Sequence, residues 1–173
     1  MTQASSLAAA DRDFDLLVVG DVNPDIVVSG GDPRYGQREV LVDGVTLTIG
    51  GSASIMAAAA ARLGLRVALA GVVGDDPLGR FMLDELAARG VDVAACRIDP
   101  DRPTGATVIL ARDGDRAILT AEGTIPELTA ADVPDTLLER TRHVHVASYF
   151  LLRRLASALP AVVERAQIGR AHV

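Results

Sequence analysis

Residues 48–80 read "TIGGSASIMAAAAARLGLRVALAGVVGDDPLGR", and this stretch decides the fold. Gly50 and Gly51 lead into a run of small residues. Ile55, Ala59 and Leu63 fall at i, i+4 and i+8, the spacing of a helix stripe, and Gly64 sits where a C′ glycine would end the helix. "RVALAGVVG" is then a short apolar run of the kind buried on both faces of a sheet. Asp76 is a good N-cap and Pro77 a good first helical residue. Leu78, Phe81, Met82 and Leu86 supply the apolar face of this second helix, and Gly90 ends it. Alternation of strands and helices predicts a mostly parallel sheet with right-handed crossovers.

Upstream, "FDLLVVGDV" at 14–22 is another buried strand, and "DIVVSG" continues extended. "GGDPRYGQ" is dense in turn residues. In "REVLVDGVTLTIGG", Val40 and Val42, then Val45, Leu47 and Ile49, keep a two-residue period, and the Asp43-Gly44 pair between them predicts a hairpin turn. Downstream, "VDVAACRI" and the paired runs around "RDGDR" interrupt the alternation and predict a hairpin with β-rich insertions. Residues 129–141 predict a modest helix, "HVHVASY" a strand, and 151–166 a helix broken or kinked at Pro160. The expected architecture is one α/β layer with a small second sheet.

The chain has 173 residues, enough for one α/β domain with a core. With 49% apolar and 23% charged residues, it has the balance of a globular protein. Net charge is −6, which disfavours nucleic acid as the partner, because phosphate backbones select basic faces. The apolar run at 55–61 falls far short of the roughly 20 residues that span a bilayer, so no membrane is expected. Residues 1–13 lack a basic start and a long apolar region, and read as a disordered leader rather than a signal peptide. A single cysteine, Cys96, cannot form an internal disulfide, which points to a reducing cytoplasm. It is given no role. His143 and His145 alternate on a strand, with no metal constellation around them.

Two stretches point to chemistry. A helix N-terminus exposes unpaired N–H groups and a positive dipole end, and glycines there let a ligand approach the backbone. "GGSAS" is therefore a candidate site for a hydroxyl- or phosphate-bearing ligand; the plainer alternative is a tight turn with Ser52 or Ser54 as N-cap. "GDVNPD" places Asp21, Asn23 and Asp25 at the end of a buried strand, where open parallel sheets bind ligands. Asn and Asp offer fixed donors and acceptors to hydroxyls. An ordinary Asx-rich turn is the alternative there.

Four pieces in order resemble the ribokinase-like (PfkB) carbohydrate kinases over residues 14–166. They are "VVGDVNPD", "GGSASIMAAAAARLGLRVALAGVVGDDPLG", "DRPTGATVILARDGDRAILTAEGTI" and "HVHVASYFL". The resemblance covers the N-terminal half of that family. It implies a ribokinase-like α/β fold, a mostly parallel sheet flanked by helices, with a small β lid built from about 26–49 and 93–121. It implies that Asn23 and Asp25 hold sugar hydroxyls, and that Gly50 and Gly51 let the sugar lie against the backbone beside Ser52. Ser148 would face substrate. It further implies ATP and Mg²⁺ for the full-length kinase, a small sugar or nucleoside substrate, and a homodimer through the lid. The Gly74-Asp75-Asp76 loop then reads as mostly structural.

Two positions depart from the pattern. Where family members usually carry asparagine, this chain has Ile55 and Ile125. Either the substrate lacks a hydroxyl there and bears an apolar or ring substituent, or the positions have drifted. The larger departure is the family's catalytic aspartate, in a Gly-Ala-Gly-Asp motif, which has no counterpart in this sequence. No catalytic residue is therefore assigned, and the chain is expected to be inactive alone. "QIGRAHV" back-translates in frame to a common sequencing-adapter string, so residues 167–173 are expected to be non-native and the gene to continue beyond Ala166. A genuine short terminus is the alternative. Two other functions were weighed. A non-catalytic sugar-binding or regulatory protein of the same fold fits the same residues. A dinucleotide oxidoreductase is disfavoured, because no G-x-G-x-x-G follows the first strand.

Overall fold

The computed structural model describes residues 12–32, 36 and 39–168. The expected leader up to residue 11 and the end of the expected tail, 169–173, lie outside the described residues. Its strands are β1 (Phe14–Val19), β2 (Asn23–Ser29), β3 (Gly44–Gly50), β4 (Val67–Gly74), β5 (Val91–Asp92), β6 (Cys96–Asp99), β7 (Ala106–Arg112), β8 (Asp115–Ala121) and β9 (Thr141–Val146). Helices are α1 (Ser52–Arg62), α2 (Pro77–Ala88), α3 (Asp135–Glu139), α4 (Arg153–Ala156) and α5 (Leu159–Ile168).

The main sheet runs β5-β4-β1-β9, and every pairing in it is parallel. All eight residues of β4 are buried, as a two-sided apolar strand requires. Alternation along β1 sends Leu17 and Val19 to one face and Val18 to the other. The first face packs against Leu137, Leu138, Leu155, Val162 and Ala166 of α3–α5. The second packs against α1 and α2 through Ala53, Ala57, Met82 and Leu86. Helices on both faces of a parallel sheet is the layering that the alternating strands and helices predict.

A second sheet, β3-β2-β7-β8, is mixed: β2 pairs antiparallel with β3 and parallel with β7, and β7–β8 is an antiparallel hairpin. This is the expected small sheet, with two corrections. The turn at Asp43-Gly44 does not form a hairpin; residues 39–43 lie outside any strand, and β3 starts at Gly44 to pair with β2 instead. Val40 and Val42 keep strand periodicity without a partner strand. Residues 93–98 are not part of the lid either. β6 pairs in parallel with Gly71–Gly74 of β4, directly beyond β5, and so extends the main sheet.

The helices need three corrections. α1 does not bury the Ile55–Ala59–Leu63 stripe: Ile55 is 49% and Leu63 84% exposed. It buries Ala53, Ser54, Ala57, Ala58 and Ala60, because small side chains let the helix sit close on the sheet. The single helix expected at 129–141 is a 3-10 turn (Ala130–Asp132) followed by α3, divided by Pro134. At 151–166 the helix breaks before Pro160, at 157–158, and the proline takes the first turn of α5, where its missing N–H costs nothing. α2 follows expectation. The Asp76 side chain accepts from the Gly79 N–H at 2.8 Å, and Gly90 has φ +83° after the helix.

Candidate functional site

The site forms where the two sheets meet. β1 ends at Val19, and the chain passes through Asp21 into β2, whose first residues face the last of β3: Asn23 pairs with Gly50 and Asp25 with Thr48. Paired residues point to the same face, so Asn23 and Asp25 stand over the β3–α1 junction. They fill the space that side chains at 50 and 51 would need. A Cβ at Gly50 would lie 2.0 Å from Asp25 Oδ1, and one at Gly51 2.7 Å from Asn23 Oδ1. Gly51 also has φ +76°, in the left-handed region. Both glycines are required here. The two polar side chains close over this backbone: Gly50 is buried and Gly51 half-buried.

The start of α1 differs from that reading. No side chain of its own caps it, neither Ser52 nor Ser54. The Ser52 and Ala53 N–H groups donate to Asp21 Oδ2 and Oδ1 at 3.0 and 2.9 Å, and the Ser54 hydroxyl donates to the Asp21 carbonyl at 3.0 Å. Asp21 is only 5% exposed. A carboxylate thus occupies the donors that would have cradled a phosphate. Asp25 adds a second acid nearby; burial, then the Asp21 charge, raise its pKa above the ordinary value. Two neighbouring carboxylates repel an anion and accept hydroxyl protons, so the junction suits a neutral polyhydroxyl ligand rather than a phosphate.

Ser148 arrives from the other side. The Ala147 N–H donates to the Val19 carbonyl at 3.0 Å, which sets Ser148 at the carboxyl end of β9 beside that of β1. Ser148 has φ +57°, rare for a residue other than glycine, and such backbone concentrates at functional sites. Ile55 sits in the first turn of α1, its N–H donating to the Gly51 carbonyl at 3.0 Å, and its side chain is half exposed. The fold therefore brings Asn23, Asp25, Gly50, Gly51, Ser52 and Ile55 to one junction. Ile125 does not join them. Its side chain packs in the core layer that holds Val72 and Leu128.

Residues that motif reading passes over complete the junction. Asn23 Nδ2 donates to Thr107 Oγ1 at 3.3 Å, and Thr107 Oγ1 shares a hydrogen bond with Thr120 Oγ1 at 3.1 Å. Their placement follows from the β2–β7 register, which is non-local. The Gly-Asp-Asp loop is a knot rather than a ligand site. Thr104 donates to Asp76 through its N–H at 2.7 Å and its hydroxyl at 2.8 Å, and the Gly74 N–H donates to Thr104 Oγ1 at 2.8 Å. It ties the α2 start to the strand entering the small sheet. Cys96 donates to the Leu69 carbonyl at 3.3 Å, and burial pushes its thiol up to about 12, far from a thiolate. Among the described residues no group of three or more His, Cys, Asp or Glu side chains could hold a metal ion. No described helix is long and apolar enough to cross a membrane.

Comparison with known proteins agrees with this fold. The ribokinase of Bacillus subtilis (strain 168) is 31% identical over 116 residues, 67% of this chain and 40% of that protein. A PfkB protein from Polaromonas sp. JS666 superposes with a TM-score of 0.80 at 20% identity, covering 91% of this chain and 53% of that one. A putative ribokinase II from E. coli, solved in complex with ATP and Mg²⁺, superposes with a TM-score of 0.77 at 22% identity, covering 91% and 51%. The chain spans about half the length of the curated relatives it matches. The family model that matches, pfkB family carbohydrate kinase, covers residues 13–170, and the chain belongs to that family.

Proposed function

We propose that this chain is the sugar-binding and lid part of an ATP-dependent kinase that transfers the γ-phosphoryl group to a hydroxyl of a small sugar or nucleoside. One observation carries the reading: Asn23 and Asp25 pack against Gly50 and Gly51 where the two sheets meet, in a junction whose charge favours hydroxyls over anions. Asn23 offers both a donor and an acceptor, and Asp25 accepts hydroxyl protons, so together they orient a polyol. Ser148 adds a hydroxyl from the β9 side. The small sheet lies over the junction as a lid that excludes water from the bound sugar.

The kinase as a whole would use ATP and Mg²⁺, with which the E. coli neighbour was solved in complex. The described residues of this chain do not fit either. The α1 start is filled by Asp21, and no acidic cluster is suited to a cation. Phosphoryl transfer is therefore assigned to parts of the parent enzyme outside this chain, together with the catalytic base. We also place the protein in the cytoplasm, and propose a dimer through the lid. The face of the small sheet turned from the junction carries Leu47, Ile26, Val108 and Leu119 in one row, and Leu47 and Leu119 are 43% and 56% exposed.

The test is to offer the purified chain Mg-ATP with a panel of sugars, and to titrate each sugar calorimetrically. Saturable sugar binding without turnover is expected. Turnover would overturn the division of labour. Absence of binding across the panel would overturn the sugar site.

A further inference from the structure

The lid face over the junction has two bands. Register places Thr48, Asp25, Thr107 and Thr120 in one row across all four strands. Two residues further along each strand, on the same face, lie Thr46, Val27, Ile109 and Ile118. The first row is entirely polar and abuts Asn23. The second is three-quarters branched aliphatic, and Ile118 is 54% exposed.

The polar band has hydrogen-bonding capacity to spare. Thr107 and Thr120 carry two hydroxyl protons, and their mutual bond uses one, whichever residue donates. Thr107 also accepts from Asn23. The remaining proton can be offered to a ligand. Aliphatic side chains in the next band give an apolar flat surface about 7 Å along the strands, two residues at roughly 3.3 Å each. That is about the offset between a sugar hydroxyl and a ring carried on the same sugar. Half-exposed Ile55 lies in the first turn of α1, at the same junction, and is a second apolar group without cover.

We propose that this face is a two-band specificity surface: the Thr107–Thr120 hydroxyl pair meets the sugar, and the Val27–Ile109–Ile118 band meets a ring attached to it. The site then takes sugars that carry a heterocyclic ring, the nucleoside class, in preference to free monosaccharides. This rests on the sugar-site reading above. Ring burial against branched aliphatics supplies the preference, since removing apolar area from water is favourable and non-directional.

The experiment is calorimetric titration of the full chain with adenosine, D-ribose and adenine, repeated on Ile118→Ser and Thr107→Val, with thermal unfolding to verify that each variant folds. Adenosine should bind at least tenfold more tightly than D-ribose. Ile118→Ser should bring the adenosine affinity down to that of ribose, and Thr107→Val should weaken both. Equal affinities in the parent chain, or a preference that survives Ile118→Ser, overturns the two-band surface while leaving the sugar site standing. Adenine binding as tightly as adenosine overturns it too, since the polar band would then contribute nothing. Failure of both sugars to bind removes the sugar site itself, and the inference with it.

Discussion

Helices α1 and α2 both begin where a strand ends, but their first turns are held in different ways. α2 is capped from within: Asp76 precedes the helix, Pro77 follows, and the carboxylate reaches the Gly79 N–H. α1 is capped from 31 residues upstream, by an Asp21 carboxylate that reaches the Ser52 and Ala53 N–H groups across the sheet. The local cap leaves a closed knot with Thr104. The remote one adjoins glycine backbone that Asn23 and Asp25 cover. One helix start is closed by its own neighbours, and the other is assembled from segments far apart in the chain.

The sharpest way to break this contrast is Asp21→Ala. Two N–H donors, one of them on buried Ala53, would lose their partner, so a loss of about 2–3 kcal/mol in urea unfolding is expected, together with loss of sugar binding. A variant that stays stable would mean that water caps α1 as well as Asp21 does. Asp76→Ala should cost less, about 1–2 kcal/mol, because Asp76 is only partly buried and Thr104 keeps its bond from Gly74. Sugar affinity should not change, and a calorimetric loss there would place the knot in the site.

The acids also differ in how they respond to pH. Burial raises the Asp76 carboxyl, but hydrogen bonds from Thr104 and Gly79 outweigh it and leave its pKa lowered. Its contribution is present above the unfolded-state pKa and is lost as pH falls. Asp25 has a raised pKa, so the folded state holds its proton more tightly, and stability is lost as pH rises through that pKa. Asp25→Asn should therefore raise the neutral-pH melting temperature slightly while weakening sugar binding. A neutral-pH melting temperature that drops in this variant would contradict an Asp25 kept for function. The smallest effect belongs to the far end of β1. Hydrogen bonds from Arg66 hold the Asp15 carboxyl at about 2, on an exposed surface. Asp15→Asn should flatten only the acid limb of the stability curve, between the ordinary carboxylate pKa and that value, and the change should shrink in high salt.

What was legible in the sequence follows the same division. Local signals read correctly: the apolar run of β4 and the Asp76-Pro77 start of α2. Sheet and family were legible because several such pieces recur in order. Errors arose where tertiary contact decides. α1 buries alanines because a close-packed helix has no room for Ile55 or Leu63, and periodicity alone favoured the larger residues. β3 paired with β2 because an entire strand was available, which the Asp43-Gly44 turn chemistry could not reveal. Asn23 and Asp25 stand out in the sequence as polar residues after a buried strand, and they begin β2. The cap role of Asp21 and the Thr107–Thr120 pair depend on the meeting of segments far apart in the chain, and no spacing encodes them. Ile125, which the family resemblance sets at a usual asparagine as either a ligand-facing or a drifted position, fills core.

The most direct test of the sugar site is an amide NMR titration of the chain with D-ribose. The expected result is a saturable set of shifts confined to Asn23, Asp25, Gly50, Gly51, Ser52, Thr107 and Ser148, with the Asp76–Thr104 knot unmoved. Shifts centred on that knot, or none with D-ribose and none with adenosine offered in its place, would contradict a sugar site at the remotely capped helix.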